Sequence, residues 1–491
     1  MTAAISSLGV GSNLDLSSLL DSLQTDEEKR LDPITAKQTS YNAKLTAYGT
    51  LQSALEAFST ASKALTDPTL YTQKVASTSD NFTTDVGSTA VSGSYSISIQ
   101  QLASAQSLVT QNVAADTSTA LGGTADSSGR SLSIQVGSGA AVNISLTDAQ
   151  TSLSGLRDAI NGANAGVTAS IMQSGDSGYQ LVVTSNATGE NSGITMSVSG
   201  DSTLNGILGY SAGNVDPSTA SVPATGMKET TQGKDALLTV NGVSVDRSSN
   251  TISDVPQGVT LTLNSVTTST QNLVLRQSVT GSDKAIDDWM TAYNTLLTTF
   301  NSLDQYTAVA AGDDQSTTNG VLLGDSVLNS VKEQISDVLS TAQSSSTFKV
   351  LSQLGITVKD DYGNADNGTL SADETTLIKN LSDNPTAVSA FFVGDGKTTG
   401  LATQMVNIAN TFTASDGVID GATDSINSIL TGLGKQYTQV QTSIDADIAR
   451  YKTQFTQLDV LMSSLNQTST FLTQQFNAMS GVSNSSSSSS S

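Results

Sequence analysis

Apolar residues near both ends of the chain recur at alternating steps of three and four residues, which is typical of helices that pair in coiled coils. The C-terminal stripe, with one polar interruption, consists of Ile448, Tyr451, Phe455, Leu458, Met462, Leu465, Ser469, Leu472, Phe476 and Met479. The N-terminal stripe, with three polar interruptions, consists of Leu31, Ile34, Gln38, Tyr41, Leu45, Tyr48, Gln52, Leu55, Phe58, Ser62 and Leu65. Each stripe predicts a long helix that faces a partner, although two helices closing an ordinary domain would have the same spacing. The polar members either set the register of weak coils or reflect sequence drift.

Between the two stripes the apolar period changes to two residues, which predicts antiparallel strands. Alternating runs, separated by Ser-Gly and Asn-Gly turn signals, lie at residues 94–99, 131–136, 180–184, 238–245 and 259–263. We predict one short helix over residues 153–160. The stretch 212–233, which contains two prolines, is predicted to be a return connection between two β modules.

A helical period returns at Ser282, where Ile286, Trp289, Tyr293 and Phe300 share one face. Four further elements are predicted: a helix over 327–339 with Asp325 as its N-cap, a strand at 355–358, a helix around 386–392, and a last helix from near 424 to 479. At ~1.5 Å per residue the last helix would be roughly 84 Å long, too long for one compact domain.

Residues 1–30 combine scattered leucines with Gly9 and Gly11. The apolar content is high for a linker and the glycines disfavour an isolated helix, so we expect this segment to become ordered only on assembly. The first long helix should end near Pro68, because proline stops a helix.

Charge is distributed unevenly along the 491 residues, a length sufficient for three or four domains. Of the net charge of −23, residues 1–70 hold −3 and residues 424–491 hold −1, which leaves −19 for the middle. This acidic middle disfavours binding to nucleic acids and to anionic membranes. Residues 460–491 carry no charge, which predicts packing against other subunits, except for the serine-rich end from residue 481, which we expect to be disordered.

The sequence lacks the residues that most enzymatic and metal sites require. Cysteine and histidine are absent, which excludes disulfides, thiol chemistry, Cys/His metal sites and His-dependent triads. Gly396-Lys397-Thr398 imitates a phosphate-binding loop without its first glycine, and residues 360–368 resemble a calcium loop without its closing glutamate. We therefore predict a protein that is not an enzyme and that has no cofactor or metal. No run is long enough to cross a membrane and residues 1–28 lack the features of a secretory signal, so we expect a cytoplasmic protein or one exported by a route that reads an unfolded N-terminus.

Short motifs along nearly the whole chain resemble the flagellar filament cap proteins, the hook-associated protein 2 family. They occur in the order expected for that family. They are the segments 5–14 (ISSLGVGSNL), 43–49 (AKLTAYG), 101–108 (QLASAQSL), 240–242 (VNG), 254–258 (DVPQG), 292–294 (AYN), 323–327 (LGDSV), 449–459 (ARYKTQFTQLD) and 471–479 (FLTQQFNAM).

The resemblance implies an α+β multidomain fold with two β-rich head modules, a helical leg domain, and N- and C-terminal coiled-coil segments. It implies the following boundaries: terminal segments 1–40 and 430–491, leg 41–72 and 276–429, inner head module 73–105 and 233–275, and outer head module 106–232. The implied assembly interface comprises Leu8, Leu14, Leu45, Tyr48, Leu55, Tyr451, Phe455, Leu458, Met462, Leu465, Leu472 and Phe476.

The resemblance also implies a role without covalent chemistry. Such a protein is secreted through the flagellar export channel and forms a homo-oligomeric ring, expected to be a pentamer, at the extracellular tip of the filament. There it retains flagellin until flagellin folds and inserts. The implied partners are flagellin, the hook-filament junction protein and an export chaperone, with no nucleic acid and no membrane insertion. Two alternatives remain: a filament or hook-junction structural subunit, and a surface adhesin with a β-rich binding head.

Overall fold

The computed structural model describes residues 14–484 except 112, 128, 176–177, 212–224, 361–363 and 365, and for 480–484 it describes the backbone only. The chain divides into two compact units. One unit, the β unit, comprises Thr69–Gly281. The other, the helical unit, is formed by the chain up to Pro68 together with the chain from Ser282.

The elements follow the two sequence periods. The helices are α1 (Leu16–Glu28), α2 (Asp32–Ala64), α3 (Leu153–Gly162), α4 (Ser202–Leu208), α5 (Thr280–Leu303), α6 (Ser326–Ser340), α7 (Glu374–Asp383), α8 (Pro385–Phe392), α9 (Leu401–Thr413) and α10 (Val418–Asn484). The strands are β1 (Lys74–Ala76), β2 (Phe82–Val86), β3 (Gly93–Gln101), β4 (Ala105–Thr110), β5 (Arg130–Val136), β6 (Val142–Leu146), β7 (Val167–Gln173), β8 (Tyr179–Thr188), β9 (Ile194–Ser199), β10 (Met227–Thr231), β11 (Ala236–Val240), β12 (Val243–Arg247), β13 (Thr251–Ile252), β14 (Val259–Leu263), β15 (Gln271–Gln277), β16 (Ile356–Val358) and β17 (Leu370–Ala372).

The α+β class predicted from the sequence is confirmed, with β-rich modules and long terminal helices. Every predicted strand run of the β unit lies within a strand or, for residues 238–245, within a hairpin, and the strand predicted at 355–358 begins at Ile356. In that hairpin β11 and β12 pair from Val240 and Val243, and the two loop residues Asn241 and Gly242 have φ of 50° and 80°. Two successive residues with positive φ are what a tight hairpin turn requires, and Asn-Gly supplies them at little cost.

The β unit contains two hydrophobic clusters. The first is formed by residues of the sheets β1-β15-β3-β11-β12 and β13-β14-β2, with Ile97, Leu238 and Leu261 fully buried. The second is formed by residues of the sheets β10-β4-β8-β7 and β6-β5-β9 together with α3 and α4, and its buried members all lie between Leu108 and Met227. Each pair of sheets therefore has its own core.

Two sequence predictions for the β unit are corrected. The prediction of a single short helix is incomplete, because α4 is a second one. Asp201 caps α4, since its carboxylate accepts a hydrogen bond from the Leu204 amide at 2.9 Å. The predicted connection over 212–233 is in part a strand, because β10 pairs with β4 from Met227. Residues 212–224 of that connection lie outside the described part of the chain.

The helical unit has an aromatic core that joins α2, α5 and α8. Trp289 is fully buried, with the ring of Phe58 at 6.3 Å and the ring of Phe392 at 6.0 Å, edge-on. Helices α5, α6 and α8 follow the predicted pattern, and the predicted N-cap is confirmed because Asp325 accepts from the amides of Val327 and Leu328. Helices α7 and α9 were not predicted, and α9 packs against α2.

The expectation that residues 1–30 are ordered only on assembly is wrong for α1. Asp15 caps this helix, with its carboxylate 3.1 Å from the Ser18 amide. Leu16 and Leu20 are buried, and α1 packs against α10. The helix is thus stabilised by packing against another helix of its own chain. The local composition of residues 1–30 carries no information about that distant helix. Gly9 and Gly11, which motivated the expectation, lie outside the described residues.

Candidate assembly interface

The residues of the N-terminal stripe are covered by other parts of the same chain. Every member from Leu31 to Leu65 is buried or half-buried, while the intervening positions are mostly exposed. Helix α2, which carries nearly all of the stripe, contacts both α9 and α10. The predicted stripe is therefore correct as a pattern, and much of its surface is already used by the chain's own helices.

The C-terminal stripe changes from buried to exposed along α10. In the first half of this helix Ile419, Ile426, Leu433 and Ile444 are buried. Farther along, the stripe is half-buried at Tyr451, Phe455 and Met462. The stripe members exposed to solvent are Leu458, Leu465, Leu472, Phe476 and Met479. Leu465, Leu472 and Phe476 have 52%, 49% and 64% of their residue surface exposed.

The length of α10 explains this change. Its 67 residues span ~100 Å at the usual helical rise, and α1, α2, α6 and α9 contact it. Between Leu458 and Met479 it extends for roughly 33 Å with its apolar residues largely open to solvent. We call residues 458–479 of α10 the open stripe.

The open stripe is broader than the predicted one. Val460, Leu461 and Phe471 are also exposed, at 67%, 58% and 58%. Sequence reasoning missed them because it followed a strict alternation of three and four residues, whereas a helix buried on several sides has a wider apolar face. The signal that could have found them is the absence of charge from residue 460 onward.

The predicted interface residues fall into three groups. The exposed members are Leu14, Leu458, Leu465, Leu472 and Phe476. The half-buried members are Leu45, Tyr451, Phe455 and Met462, while Leu55 and Tyr48 are buried inside the chain. Leu8 lies outside the described residues. An intermolecular role for each of these residues stays a prediction.

Tyr48 has a defined intramolecular role. Its hydroxyl donates to the Asp325 carboxylate at 2.7 Å, and the other oxygen of that carboxylate caps α6. Burial and the neighbouring Asp325 carboxylate raise the pKa of Tyr48 above its ordinary value. The contact ties α2 to the N-terminus of α6.

The loop that imitates a phosphate-binding loop is occupied by one of its own side chains. The Asp395 carboxylate accepts hydrogen bonds from the amides of Lys397, Thr398 and Thr399 at 2.7 to 2.9 Å. These bonds hold the pKa of Asp395 well below its usual range. The amides that would bind a phosphate are thus already used.

Among the described residues there is no group of three or more acidic side chains arranged to hold a metal ion. Within the same part of the chain, no helix has the length and apolar character needed to cross a membrane. The calcium-like stretch 360–368 is only partly described. The open stripe is therefore the feature of the described structure that most clearly calls for a partner.

Comparison with protein families gives matches along most of the chain. Residues 12–106 match the family model of the flagellar hook-associated protein 2 N-terminus, and residues 233–467 match that of its C-terminus. Residues 131–187 match the flagellin hook IN motif.

Individual relatives agree with these matches. The flagellar hook-associated protein 2 of Escherichia coli O157:H7 is 46% identical over 476 residues, which cover 96% of this chain and 98% of the relative. The protein of the same name from Salmonella typhimurium is 44% identical and covers 97% of this chain and 99% of its own. The crystal structure of the D1, D2 and D3 domains of the Escherichia coli flagellar cap protein has a TM-score of 0.61 at 40% identity, and covers 78% of this chain and 99% of its own.

Proposed function

Because the chain belongs to the flagellar hook-associated protein 2 family, we propose that it caps the distal end of a bacterial flagellar filament. The observation that carries the proposal is the open stripe, an uncovered apolar helix face in a segment that has no charge beyond Asp459. A monomer gains nothing from such a face, whereas an assembly can bury it on several sides.

The proposed mechanism is physical. Copies of the chain form a ring, expected to be a pentamer, in which the terminal coils of neighbours cover one another's open stripes. The interface includes Leu8, Leu14, Tyr451, Phe455, Met462 and the open stripe, with Leu45, Tyr48 and Leu55 supporting α2 beneath it. The ring retains exported flagellin until flagellin folds and inserts. No bond is made or broken, so the protein acts without enzymatic activity.

The family also suggests partners and a route. We propose that the chain is secreted through the flagellar export channel, bound by a chaperone beforehand, and that it meets the hook-filament junction protein as well as flagellin. Its final location is extracellular, at the filament tip. The absence of cysteine fits this route, since no disulfide has to be reduced before the chain passes through a narrow channel.

We propose that the two hydrophobic clusters of the β unit are the inner and outer head modules. The second cluster lies between Leu108 and Met227, inside the boundaries 106–232. The first is formed by the chain on either side, within 73–105 and 233–275. The remaining chain provides the leg, 41–72 and 276–429, and the terminal coils.

The test is the stoichiometry of filament growth. Full-length chain is added at a series of low ratios to flagellin that elongates filaments lacking a cap. A cap restores growth at trace ratios, and its amount per filament stays constant as the filament lengthens. Incorporation in proportion to length would identify a filament subunit instead. Binding to host surfaces without any effect on growth would favour an adhesin.

A further inference from the structure

A cluster of four charged residues lies where the chain just before α2 meets α10. Arg30 donates to Glu27 at 2.7 Å, and it reaches across to Asp447 at 3.4 Å and to the Ser443 hydroxyl at 3.5 Å. Arg450 forms an ion pair with the other oxygen of Asp447 at 2.9 Å. The cluster thus alternates in sign along the path Glu27, Arg30, Asp447, Arg450.

Apolar packing alone leaves the alignment of these helices ambiguous. Near Asp447, the half-buried residues Ile448, Phe455 and Met462 of α10 are spaced by seven residues. Ile444 and Tyr451, which are buried and half-buried, have the same spacing. A coil with such a repeat can slide by one heptad and still place apolar residues against apolar residues.

The charges do not repeat with the same period. Seven residues before and after Asp447 stand Val440 and Gln454, which carry no charge. Between residues 425 and 458 Asp445 is the other acid of α10, and it points about 200° away around the helix. In a register displaced by one heptad, Arg30 would therefore lose its acidic partner on α10.

We infer that the Arg30–Asp447 contact, extended by Glu27 and Arg450, determines the register in which α1 and α10 pair. Arg30 and Asp447 are partly exposed, with 44% and 21% of their side chains open to solvent, so the cluster adds little to overall stability. Its effect is on specificity, because it penalises the displaced alignments. The register in turn fixes how far the open stripe projects beyond α1. This inference concerns pairing within one chain and does not depend on the capping role.

The experiment measures the register directly. The chain has no cysteine, so Thr25→Cys and Thr453→Cys introduce a unique pair of exposed sites for spin labels. The labelled chain is mixed with an excess of unlabelled chain, so that the measured distance is intramolecular. Two cluster variants are compared: a neutral one, Arg30→Gln with Asp447→Asn, and an inverted one, Glu27→Arg, Arg30→Glu, Asp447→Arg and Arg450→Glu.

We expect one narrow distance in the parent chain and in the inverted variant. The neutral variant should show a second population at a different distance, because the two helices then slide by about 10 Å along their axes, the length of one heptad. A control, Lys284→Gln with Asp288→Asn, removes an ion pair of α5 and should leave the distance unchanged. An unchanged single distance in the neutral variant would overturn the inference. The neutral variant could instead lose α1 altogether while Trp289 fluorescence shows an intact core. In that case the inverted variant tests the inference. Recovery of the parent distance in the inverted variant supports the inference, and failure to recover it refutes the inference.

Discussion

Replacing Leu472 with aspartate should separate folding from assembly. Leu472 already has 49% of its residue surface exposed, so the monomer gains only part of the ~2 kcal/mol that full burial of a leucine provides. We therefore expect the substitution to cost the monomer at most about 1 kcal/mol, and only locally in α10. The core around Trp289 should unfold at its usual temperature.

In the assembly the same change should be severe. Covering the exposed half of Leu472 is worth about 1 kcal/mol, which the variant loses. Desolvating an unpaired carboxylate adds a cost of several kcal/mol. A total of about 4 kcal/mol corresponds to a roughly thousandfold weaker association.

The assay is a pair of measurements on one protein. Tryptophan fluorescence against temperature reports the core, because Trp289 is the only tryptophan of the chain. Filament length in cap-deficient cells reports assembly. The matched control is Gln474→Asp, which adds the same charge to an exposed position about 200° around the helix from Leu472. The control should support longer filaments than Leu472→Asp does, because Gln474 lies on nearly the opposite side of α10 from Leu472.

Two outcomes would refute the reasoning. Normal filaments from Leu472→Asp would show that the open stripe is not buried in the working assembly. A large fall in the unfolding temperature reported by Trp289 fluorescence would show that the stripe belongs to the monomer's own core. Equal loss of function in Leu472→Asp and Gln474→Asp would indicate a general intolerance of charge in this segment rather than burial of one face.

Three further predictions follow from the described contacts. Residues 106–232 expressed alone should give a β-rich circular dichroism spectrum, because they hold the second hydrophobic cluster, and a random-coil spectrum would contradict this. Tyr48→Phe should lower the free energy of unfolding by about 1.5 kcal/mol at neutral pH, since a bond to a charged acceptor is lost. Because the pKa of Tyr48 is raised in the fold, that contribution is present below the ordinary pKa of 10.0 and is lost at higher pH, so parent and variant should converge in alkaline unfolding titrations. Ser62→Ala should raise stability by about 1 kcal/mol in thermal unfolding, since its buried hydroxyl has no hydrogen-bond partner among the described residues, and a loss of stability would contradict this.

Much of the fold could be predicted from local patterns. The period of two residues located the main strands, and the cap at Asp325 located the start of α6, because both signals lie within a few neighbouring residues. Helix α1 was missed because what stabilises it is distant in sequence: Leu16 and Leu20 are buried where α1 packs on α10, about 430 residues away. Helix α4 was missed because its seven residues are too few to show a clear apolar period.

The candidate site shows a more specific limit of sequence reasoning. Both terminal stripes have the same spacing of three and four residues, yet Leu55 is fully buried and Leu472 is about half exposed. Spacing specifies that a helix has an apolar face; it does not specify whether the chain itself covers that face. The distribution of charge distinguishes a face covered by the same chain from a face covered by another molecule. A helix that packs only against its own domain still has one side in water, and that side carries charged residues. Helix α2 has the exposed charged residues Lys37, Glu56 and Lys63, whereas α10 has no charge beyond Asp459. The absence of charge in this segment is thus the physical reason to assign the open stripe to an assembly.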